Sequence, residues 1–403
     1  MKKIFLTAII GALALTSCTS DDDSPITDKN ELEIPVNYTF QRDNNSTVDF
    51  NGQTARLQMS AELLSNFTDF DNASEELVLN MFSNENSPFE NASLNESSKS
   101  VKSKVAASDL YFSANSVESS EIKNDFDAYI SGQFNSVKNN KDVLAEAGVA
   151  GQIADGSSVR YVNEKGLEYN QAFAKGLIGS LLLDQIANNY LSVAVLDAAN
   201  NRANNDAGIT EEDKPFTTME HMWDEAYGYL YGDPSIPAND PNSVLNESED
   251  RLLFSYLGQV DEDEDFSGLA ESTFEAFKTG RAAIVAGDYQ IRDEQVAIIR
   301  ENLSKVIAVR AVHYLQGGKA NLAENNYGHA FHELSEGFGF IYSLRFTNKP
   351  GTNMPYLSKE KIDMFKEQLL DGNGFWDVTP QTLDSISEEI AAAFGFSVAE
   401  AAE

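Results

Sequence analysis

Apolar side chains recur every three or four residues over much of the chain, which is the spacing of one face of an α-helix. The strongest such stretch, residues 167–196, is apolar on both faces and therefore predicts a buried central helix. Residues 293–316 carry a second stripe that ends at Gly317-Gly318, and residues 320–344 carry a third. Because the glycines predict a break, these last two stretches predict an antiparallel helical hairpin.

Two local signals predict where further helices begin. Thr217 and Glu220 have the spacing of a capping box, in which the two side chains satisfy the first free amide groups of a helix. Thr379 precedes Pro380, and proline is well tolerated at the first position of a helix. We therefore expect helices to begin near residues 217 and 380.

The regions outside these stripes are more polar or more extended. Residues 32–60 favour a short extended entry, with strand-forming residues at 32–40 and a turn signal at Asn51-Gly52. Residues 83–120 are rich in serine, asparagine and lysine, which predicts a surface loop or a partly disordered insertion. Residues 32–403 therefore predict an all-α domain, either one helical bundle or two packed bundles, after a short extended entry.

The first residues have the pattern of a bacterial export signal. Two lysines precede a mainly apolar run of twelve residues, 4–15, which is too short to span a bilayer. The sequence Leu15-Thr16-Ser17-Cys18 then matches the cleavage site of exported lipoproteins. We therefore expect residues 1–17 to be removed as a signal peptide, Cys18 to be lipidated, and residues 18–31 to tether the domain to a membrane.

The net charge and the cysteine content exclude several classes of partner and several kinds of site chemistry. The formal net charge is −35 at pH 7, so the surface repels nucleic-acid phosphates and anionic headgroups, and the lipid must provide the anchoring. Cys18 is the one cysteine of the chain, which excludes a disulfide, a thiol nucleophile and a zinc–thiolate site. The acidic residues 21–23 resemble surface-export signals, so we expect an outer-membrane lipoprotein that faces the outside of the cell.

The strongest candidate for chemistry is a set of histidines and glutamates near residue 330. Its members are His329, His332, Glu333 and Glu336. Their spacing of i, i+3, i+4 and i+7 places them on one face of a helix. Imidazole and carboxylate groups suit zinc or iron, and Glu333 has the place of the general base in a zinc peptidase, although Glu336 replaces the second histidine of that pattern. A metal site and a hydrogen-bonded structural patch both remain open.

A second candidate set stands on the helix predicted from residue 217. His221, Asp224 and Glu225 have the spacing i, i+3 and i+4. Either carboxylate could orient the imidazole as the second shell of a metal site does, although such sets are more often structural. If the two helices faced one cleft, His221 and His332 could share an ion.

Several separated segments carry a family resemblance. They are residues 52–57, 165–173, 175–179, 184–186, 221–229 and 332–340. With these segments, the chain resembles an uncharacterised family of bacterial lipoproteins, domain of unknown function 4856. The resemblance covers residues 48–390 and brings no known activity.

Residues 328–333 carry a second resemblance, to imelysin-like proteins. Those proteins are helical, exported or lipid-anchored, and linked to iron uptake, and their hallmark is Gly-x-His-x-x-Glu. The sequence Gly328-His329-Ala330-Phe331-His332-Glu333 differs from it, because His329 follows the glycine directly and His332 takes the place of the glutamate. The resemblance therefore implies metal- or iron-related binding without transferring the site of those proteins.

Three functions fit these observations. The first is a non-enzymatic binding lipoprotein of the cell envelope, linked to metal or iron acquisition. The second is a metal-dependent hydrolase of the peptidase type that uses residues 329–336. The third is a structural adaptor of an outer-membrane complex, with a transport protein as its partner. Zinc or iron would be the bound ion in the first two.

Overall fold

The computed structural model describes residues 31–247 and 252–402, so the predicted signal peptide, Cys18 and the tether up to residue 30 lie outside the described residues. The helices are α1 (Asn51–Asn66), α2 (Glu75–Ser83), α3 (Ala92–Asn95), α4 (Asp109–Phe112), α5 (Ser116–Gly132), α6 (Tyr169–Leu177), α7 (Val193–Leu196), α8 (Asn201–Asp206), α9 (Thr218–Tyr231), α10 (Leu253–Asp261), α11 (Leu269–Ala286), α12 (Tyr289–Ala323), α13 (Tyr327–Ser343), α14 (Lys359–Leu369), α15 (Pro380–Phe394) and α16 (Val398–Ala401). The strands are β1 (Gln41–Arg42), β2 (Asn45–Ser46), β3 (Gly151–Asp155) and β4 (Ser158–Val162).

These elements confirm the predicted all-α class. The strands of the described part pair into two small antiparallel hairpins, β1 with β2 and β3 with β4. The helices pack around one hydrophobic core cluster rather than two separate bundles. Among the described residues, no helix is long and apolar enough to cross a membrane.

Helices α12 and α13 form the predicted antiparallel hairpin, but the chain reverses later than predicted. α12 continues through Gly317 and Gly318, so the predicted helix break at these glycines is wrong. A Cβ on Gly317 would lie 2.7 Å from Oε2 of Glu333, and a Cβ on Gly318 would lie 2.6 Å from Cδ2 of Leu334. The glycines therefore allow α13 to pack closely on α12, and the chain turns near Asn325, which has a φ of 59°.

The predicted central helix is an α-helix that continues as a π-helix. α6 leads directly into the π-helix Ile178–Tyr190, and residues 172–190 are all buried. Burial on every side confirms the central position that the apolar pattern predicts. A π-helix has i to i+5 hydrogen bonds, so a 3.6-residue period does not predict which of its side chains share a face.

The extended N-terminal entry turns at a different place from the one predicted. Asp43 and Asn44, with φ of 52° and 63°, form the two-residue turn between β1 and β2. Asn51 and Gly52, predicted as a turn, begin α1 instead. The start of α1 is fixed by packing on α9, because a Cβ on Gly228 would lie 2.3 Å from Cβ of Phe50.

Residues 83–120 differ from the predicted surface loop. They contain α3, α4 and the start of α5, joined by loops. Their buried apolar side chains are Phe89, Leu94, Val101, Val105, Ala106 and Phe112. These side chains are spaced too irregularly to form a helical stripe, and the polar composition of the segment therefore predicts a loop. The segment is part of the core packing.

The hairpin of β3 and β4 packs against the start of α13 and has no counterpart in the sequence prediction. Gly156, with a φ of 59°, forms part of its turn. The pair Asp155-Gly156 is a sequence signal for such a turn. A Cβ on Gly328 would lie 2.0 Å from the carbonyl oxygen of Ala154, so this glycine allows the hairpin to reach α13.

Both predicted helix starts are confirmed. The side chain of Thr217 accepts a hydrogen bond from the amide of Glu220, and the side chain of Glu220 accepts one from the amide of Thr217. Pro380 occupies the first turn of α15, which Thr379 caps. These local signals are reliable because they depend on neighbouring residues alone.

Candidate functional site

The polar face of α13 lies between β3 and α6. Gly328 permits the approach of β3, and Gly339, where a Cβ would lie 2.5 Å from Cβ of Lys175, permits that of α6. Both elements bring charged side chains to the face. The resulting cluster, called the α13 network below, consists of His329, His332, Glu333 and Glu336 of α13 with Asp155, Glu168 and Lys175.

His332 lies between two carboxylates of this network. Its Nδ1 is 3.2 Å from Oε1 of Glu168, and its Nε2 is 3.9 Å from Oε2 of Glu336. The amide of Glu168 donates to Oγ of Ser335 at 2.9 Å, which ties Glu168 to α13. Burial alone lowers the pKa of His332, but the hydrogen bond and charge of Glu168, with the charge of Glu336, raise that pKa above its usual value. The folded protein therefore stabilises the imidazolium form.

A salt bridge from Lys175 compensates the charge of Glu336 in the α13 network. Nζ of Lys175 is 3.1 Å from Oε1 of Glu336, and the two side chains are 9% and 10% exposed. The same Nζ lies 5.0 Å from the ring centroid of Tyr256. Burial alone raises the pKa of Glu336, but Lys175 and His332 outweigh burial and hold the pKa below its usual value. Glu336 is therefore an ionised carboxylate that already has a cationic partner.

The outer pair of the network is His329 and Glu333. His329 is 42% exposed, with its Nδ1 3.5 Å from Oδ1 of Asp155 and its Nε2 3.5 Å from Oε1 of Glu333. Arg160 holds Asp155 at 2.7 Å, and Asn321 donates to Oε2 of Glu333 at 3.0 Å. At 3.5 Å the contacts of His329 are longer than ordinary hydrogen bonds. Both contacts of His329 are therefore longer than the 3.2 Å contact between His332 and Glu168.

The four predicted ligands form two histidine–carboxylate pairs rather than one coordination sphere. His332 faces Glu336, and His329 faces Glu333. Within residues 31–247 and 252–402, no group of three or more histidine, cysteine, aspartate or glutamate side chains is placed to hold a metal ion. A metal ligand must also be a neutral imidazole, whereas Glu168 and Glu336 favour the protonated form of His332. The geometry is that of an ion-pair network.

The side chains of the second predicted set have different neighbours. The ring of His221 stacks on Phe216 with centroids 4.5 Å apart. Glu225 accepts a hydrogen bond from Nε2 of Gln53 at 2.9 Å. Asp224 is fully buried in a separate ion cluster, described next. The structure therefore does not bring the three residues of this set together.

A buried ion cluster, called the α9 cluster below, surrounds Asp224 and has no counterpart in the sequence prediction. Arg281 of α11 is fully buried, 3.1 Å from Oδ1 of Asp224 and 3.2 Å from Oε1 of Glu220. Arg42 of β1 contacts both carboxylate oxygens of Glu220 at 2.9 Å. Tyr38 donates to Oδ1 of Asp224 at 2.6 Å. The partners come from distant parts of the chain, so the local patterns at Glu220 and Asp224 do not predict them.

The chain matches one protein family over most of its length. A family model described as a domain of unknown function, DUF4856, matches residues 35–397. The chain belongs to this family. The match includes the α13 network and the α9 cluster and confirms the first resemblance drawn from the sequence. No curated protein and no solved structure matches the chain.

In this DUF4856 chain, segments that carry the family resemblance pack against one another. Residues 332–340 contact residues 165–173, for example through the hydrogen bond between the amide of Glu168 and Ser335. Residues 52–57 contact residues 221–229, for example through Gln53 and Glu225. The segments therefore meet at two separate places, one at α13 and one between α1 and α9.

The π-helix contributes a buried acid that the sequence did not single out. Oδ2 of Asp184 accepts hydrogen bonds from the amides of Ala107 and Ser108 at 3.1 Å and 3.0 Å, and its Oδ1 accepts one from Oγ of Ser108 at 2.6 Å. Burial raises the pKa of Asp184 to about 6 despite these bonds, which act in the opposite direction. Asp184 thus fastens the segment before α4 to the centre of the fold.

Proposed function

We propose that this protein is a lipid-anchored protein of the bacterial cell envelope that works by binding rather than by catalysis. The anchor rests on the lipoprotein cleavage site at residues 15–18, which would place acyl chains on Cys18. Each buried methylene contributes about 0.8 kcal/mol to membrane binding. The acidic residues 21–23 favour the outer membrane and the outside of the cell. An adaptor in an outer-membrane complex, beside a transport protein, is one form of this function.

The observation that supports binding rather than catalysis is that the charged groups of the α13 network face one another. A general base must face the proton that it removes, within hydrogen-bond reach or through one water. In the network, both ring nitrogens of each histidine face carboxylates, and Lys175 holds Glu336. Because these groups satisfy one another, their arrangement favours a structural role. The function would then belong to other surfaces of the protein.

Replacement of the predicted lipidated cysteine tests the anchor. We expect the wild-type chain in the membrane fraction and Cys18→Ala in the soluble fraction, because the variant has no site for the acyl chains. Ser17→Ala is the matched control, since it keeps a small residue at the cleavage site. A Cys18→Ala chain that stays wholly in membranes would contradict the proposal, and protease treatment of intact cells would test whether the domain faces outward.

One contact favours a second function, the binding of zinc or iron for metal acquisition. Glu168 holds Nδ1 of His332 and leaves Nε2 directed at Glu336, as second-shell carboxylates do at metal-bound histidines. The separation of 3.9 Å between Nε2 and Oε2 exceeds the roughly 3.4 Å between two ligands of one zinc ion. Metal binding would therefore require a small closure, release of Glu336 by Lys175, and loss of the His332 proton.

Titration with zinc and iron(II) tests this second function. If the ion binds, the double variant His332→Ala with Glu336→Ala should abolish binding, and the affinity of the wild type should fall as the pH drops through the raised pKa of His332, because the imidazole then protonates. His313→Ala on α12 is the control. A wild type that binds neither metal, or a double variant that binds as well as the wild type, would refute metal binding. A hydrolase with Glu333 as its base would need the same ion, and peptide turnover by the metal-loaded protein would identify it.

A further inference from the structure

Three cationic side chains, from α1, the 3-10 turn Lys102–Lys104 and the loop before that turn, lie close enough for their charges to act on one another. They are Arg56, Lys99 and Lys104, called the basic cluster below. The concentration is unusual because the chain as a whole carries a formal net charge of −35. The neighbouring Lys102 does not belong to it, since its Nζ is paired with Asp127 at 2.7 Å.

Arg56 and Lys99 lie on the same side of Gly52. A Cβ on Gly52 would be 3.8 Å from Nη1 of Arg56 and 3.8 Å from Nζ of Lys99. Arg56 is 5% exposed, and its Nε donates to the carbonyl oxygen of Ser100 at 3.1 Å. The guanidinium is therefore held in place by the backbone, while the lysine beside it is exposed. The absent side chain of Gly52 leaves the two cationic groups near each other.

Lys104 reaches a carboxylate through a tyrosine rather than directly. Its Nζ donates to the hydroxyl of Tyr190 at 3.2 Å and lies 5.3 Å from the centroid of that ring. The hydroxyl of Tyr190 in turn donates to Oε1 of Glu225 at 3.3 Å, and Gln53 donates to the same oxygen at 2.9 Å. Both of these hydrogen bonds to Oε1 of Glu225 therefore come from neutral donors rather than from a cation of the basic cluster.

The positive charges of the basic cluster are incompletely neutralised. Burial lowers the pKa of Lys104, and the positive charges of Arg56 and Lys99 lower it further, while Glu225 and Asp109 oppose the change without reversing it. A second hydroxyl, that of Tyr229, is buried next to Arg56 without a hydrogen bond of ordinary geometry. The basic cluster therefore brings cations and hydroxyl groups together with fewer negative charges than positive ones.

We propose that the basic cluster binds a small oxyanion, a phosphate or a carboxylate group, between Arg56, Lys99 and Lys104. Arg56 donates to the carbonyl oxygens of Ser100 and Gly52 at 3.1 Å and 3.4 Å, so it contributes a fixed positive charge, while the two lysines can donate directly to the oxygens of the anion. The inference goes beyond the proposed function by naming a ligand class, and it does not depend on the anchor at Cys18. It also places the ligand away from the α13 network.

Calorimetric titration of the full chain, purified in detergent, with inorganic phosphate and with succinate tests the proposal. We expect saturable binding of at least one of these anions, and the preferred one identifies the ligand as a phosphate or a carboxylate. Lys104→Gln should weaken that binding by about tenfold or more, the cost of one lost charge-assisted hydrogen bond. Lys138→Gln is the matched control, because Lys138 also lies over an aromatic ring, 5.5 Å from that of Phe134, and donates to a carbonyl oxygen at 2.7 Å.

Substitution of the exposed Lys99 provides a second test in case Lys104→Gln does not fold. Lys99→Gln changes a surface side chain, so we expect it to fold as the wild type does and to bind the anion more weakly. Saturable binding that both Lys99→Gln and Lys104→Gln reduce, with Lys138→Gln unchanged, supports the site. A wild type that binds neither anion, or variants that bind as tightly as the wild type, would overturn it. Neither result depends on whether Cys18→Ala leaves the membrane.

Discussion

The α13 network and the α9 cluster begin from the same sequence pattern and end in different structures. Each helix carries a histidine followed by acidic residues at i+3 and i+4 or at i+4 and i+7. On α13, elements with charged residues pack opposite the polar face, and the side chains stay together. On α9, the helix is buried on most sides, and His221, Asp224 and Glu225 each meet a different neighbour.

Spacing on a helix specifies only part of a polar cluster. Positions i, i+3 and i+4 share a face, but the partners of that face come from elsewhere in the chain. Glu168 and Lys175 complete the α13 network, whereas Arg42 and Arg281 draw the acids of α9 into a separate cluster. In both clusters acidic side chains are paired with cationic or imidazole side chains, and several of the following variants each remove one partner of such a pair.

Removal of Arg281 from the α9 cluster should reduce the stability of the fold more than the other variants do. Arg281→Met leaves Glu220 and Asp224 without their shared buried cation, so we expect a loss of about 3–5 kcal/mol in the free energy of unfolding. Chemical denaturation measures it. Arg202→Met is the control, because its pair with Asp197 is partly exposed and should contribute about 0–1 kcal/mol. Equal losses in the two variants would contradict a buried, charge-balanced cluster.

A smaller effect is expected for Lys175 in the α13 network, which lies nearer to solvent. Lys175→Met leaves the carboxylate of Glu336 with His332 as its remaining close cation, and we expect a loss of about 2–3 kcal/mol. Addition of Glu336→Gln should restore part of this loss, because it removes the uncompensated charge. A double variant less stable than Lys175→Met by as much again would show that the pair is not the source of the effect.

Substitution of the histidines should change stability least, and the two regions should differ in the size of this change. His221→Phe keeps the stacking on Phe216 and removes a buried nitrogen that has no hydrogen-bond partner in the described part, so we expect a change within about 0.5 kcal/mol. His332→Phe leaves Glu168 without its partner and should cost about 1–3 kcal/mol. Thermal or urea unfolding compares the two, and a larger loss at His221 would reverse the comparison.

The sequence predicts the parts of this structure that depend on near neighbours. The apolar stripes predict α12, α13 and the buried α6, and the capping box at Thr217 and the proline at Pro380 mark true helix starts. Gly317 and Gly318 mislead because the helix-breaking tendency of glycine competes with its use in close packing, which depends on α13. The local sequence does not distinguish these two uses.

The candidate site is predicted in part for the same reason. The shared face of His329, His332, Glu333 and Glu336 follows from helical spacing. Glu168 and Lys175, which decide the chemistry of that face, lie more than 150 residues earlier and carry no spacing signal toward it. The charge state of His332 therefore depends on tertiary contacts that a single sequence does not display.

The raised pKa of His332 also predicts how stability changes with pH. The folded protein holds the proton of His332 more tightly than the unfolded chain, in which the pKa has its usual value of 6.5. The contribution of His332 to stability is therefore fully present below that value and is lost as pH rises through the raised pKa of the folded state. The stability advantage of the wild type over His332→Gln should shrink across this range in urea unfolding. An advantage that grows with pH would contradict the sign.

An NMR titration of the imidazole of His332 tests most directly whether the α13 network is a network of ion pairs. The chain has four histidines, so the resonance of His332 can be assigned by its absence from His332→Gln. We expect a pKa above the usual 6.5, and a lower pKa in Glu168→Gln, because Glu168 is the main group that raises it. A wild-type pKa at or below 6.5 that Glu168→Gln does not change would mean that the imidazole is neutral and free to bind an ion, and would contradict the account.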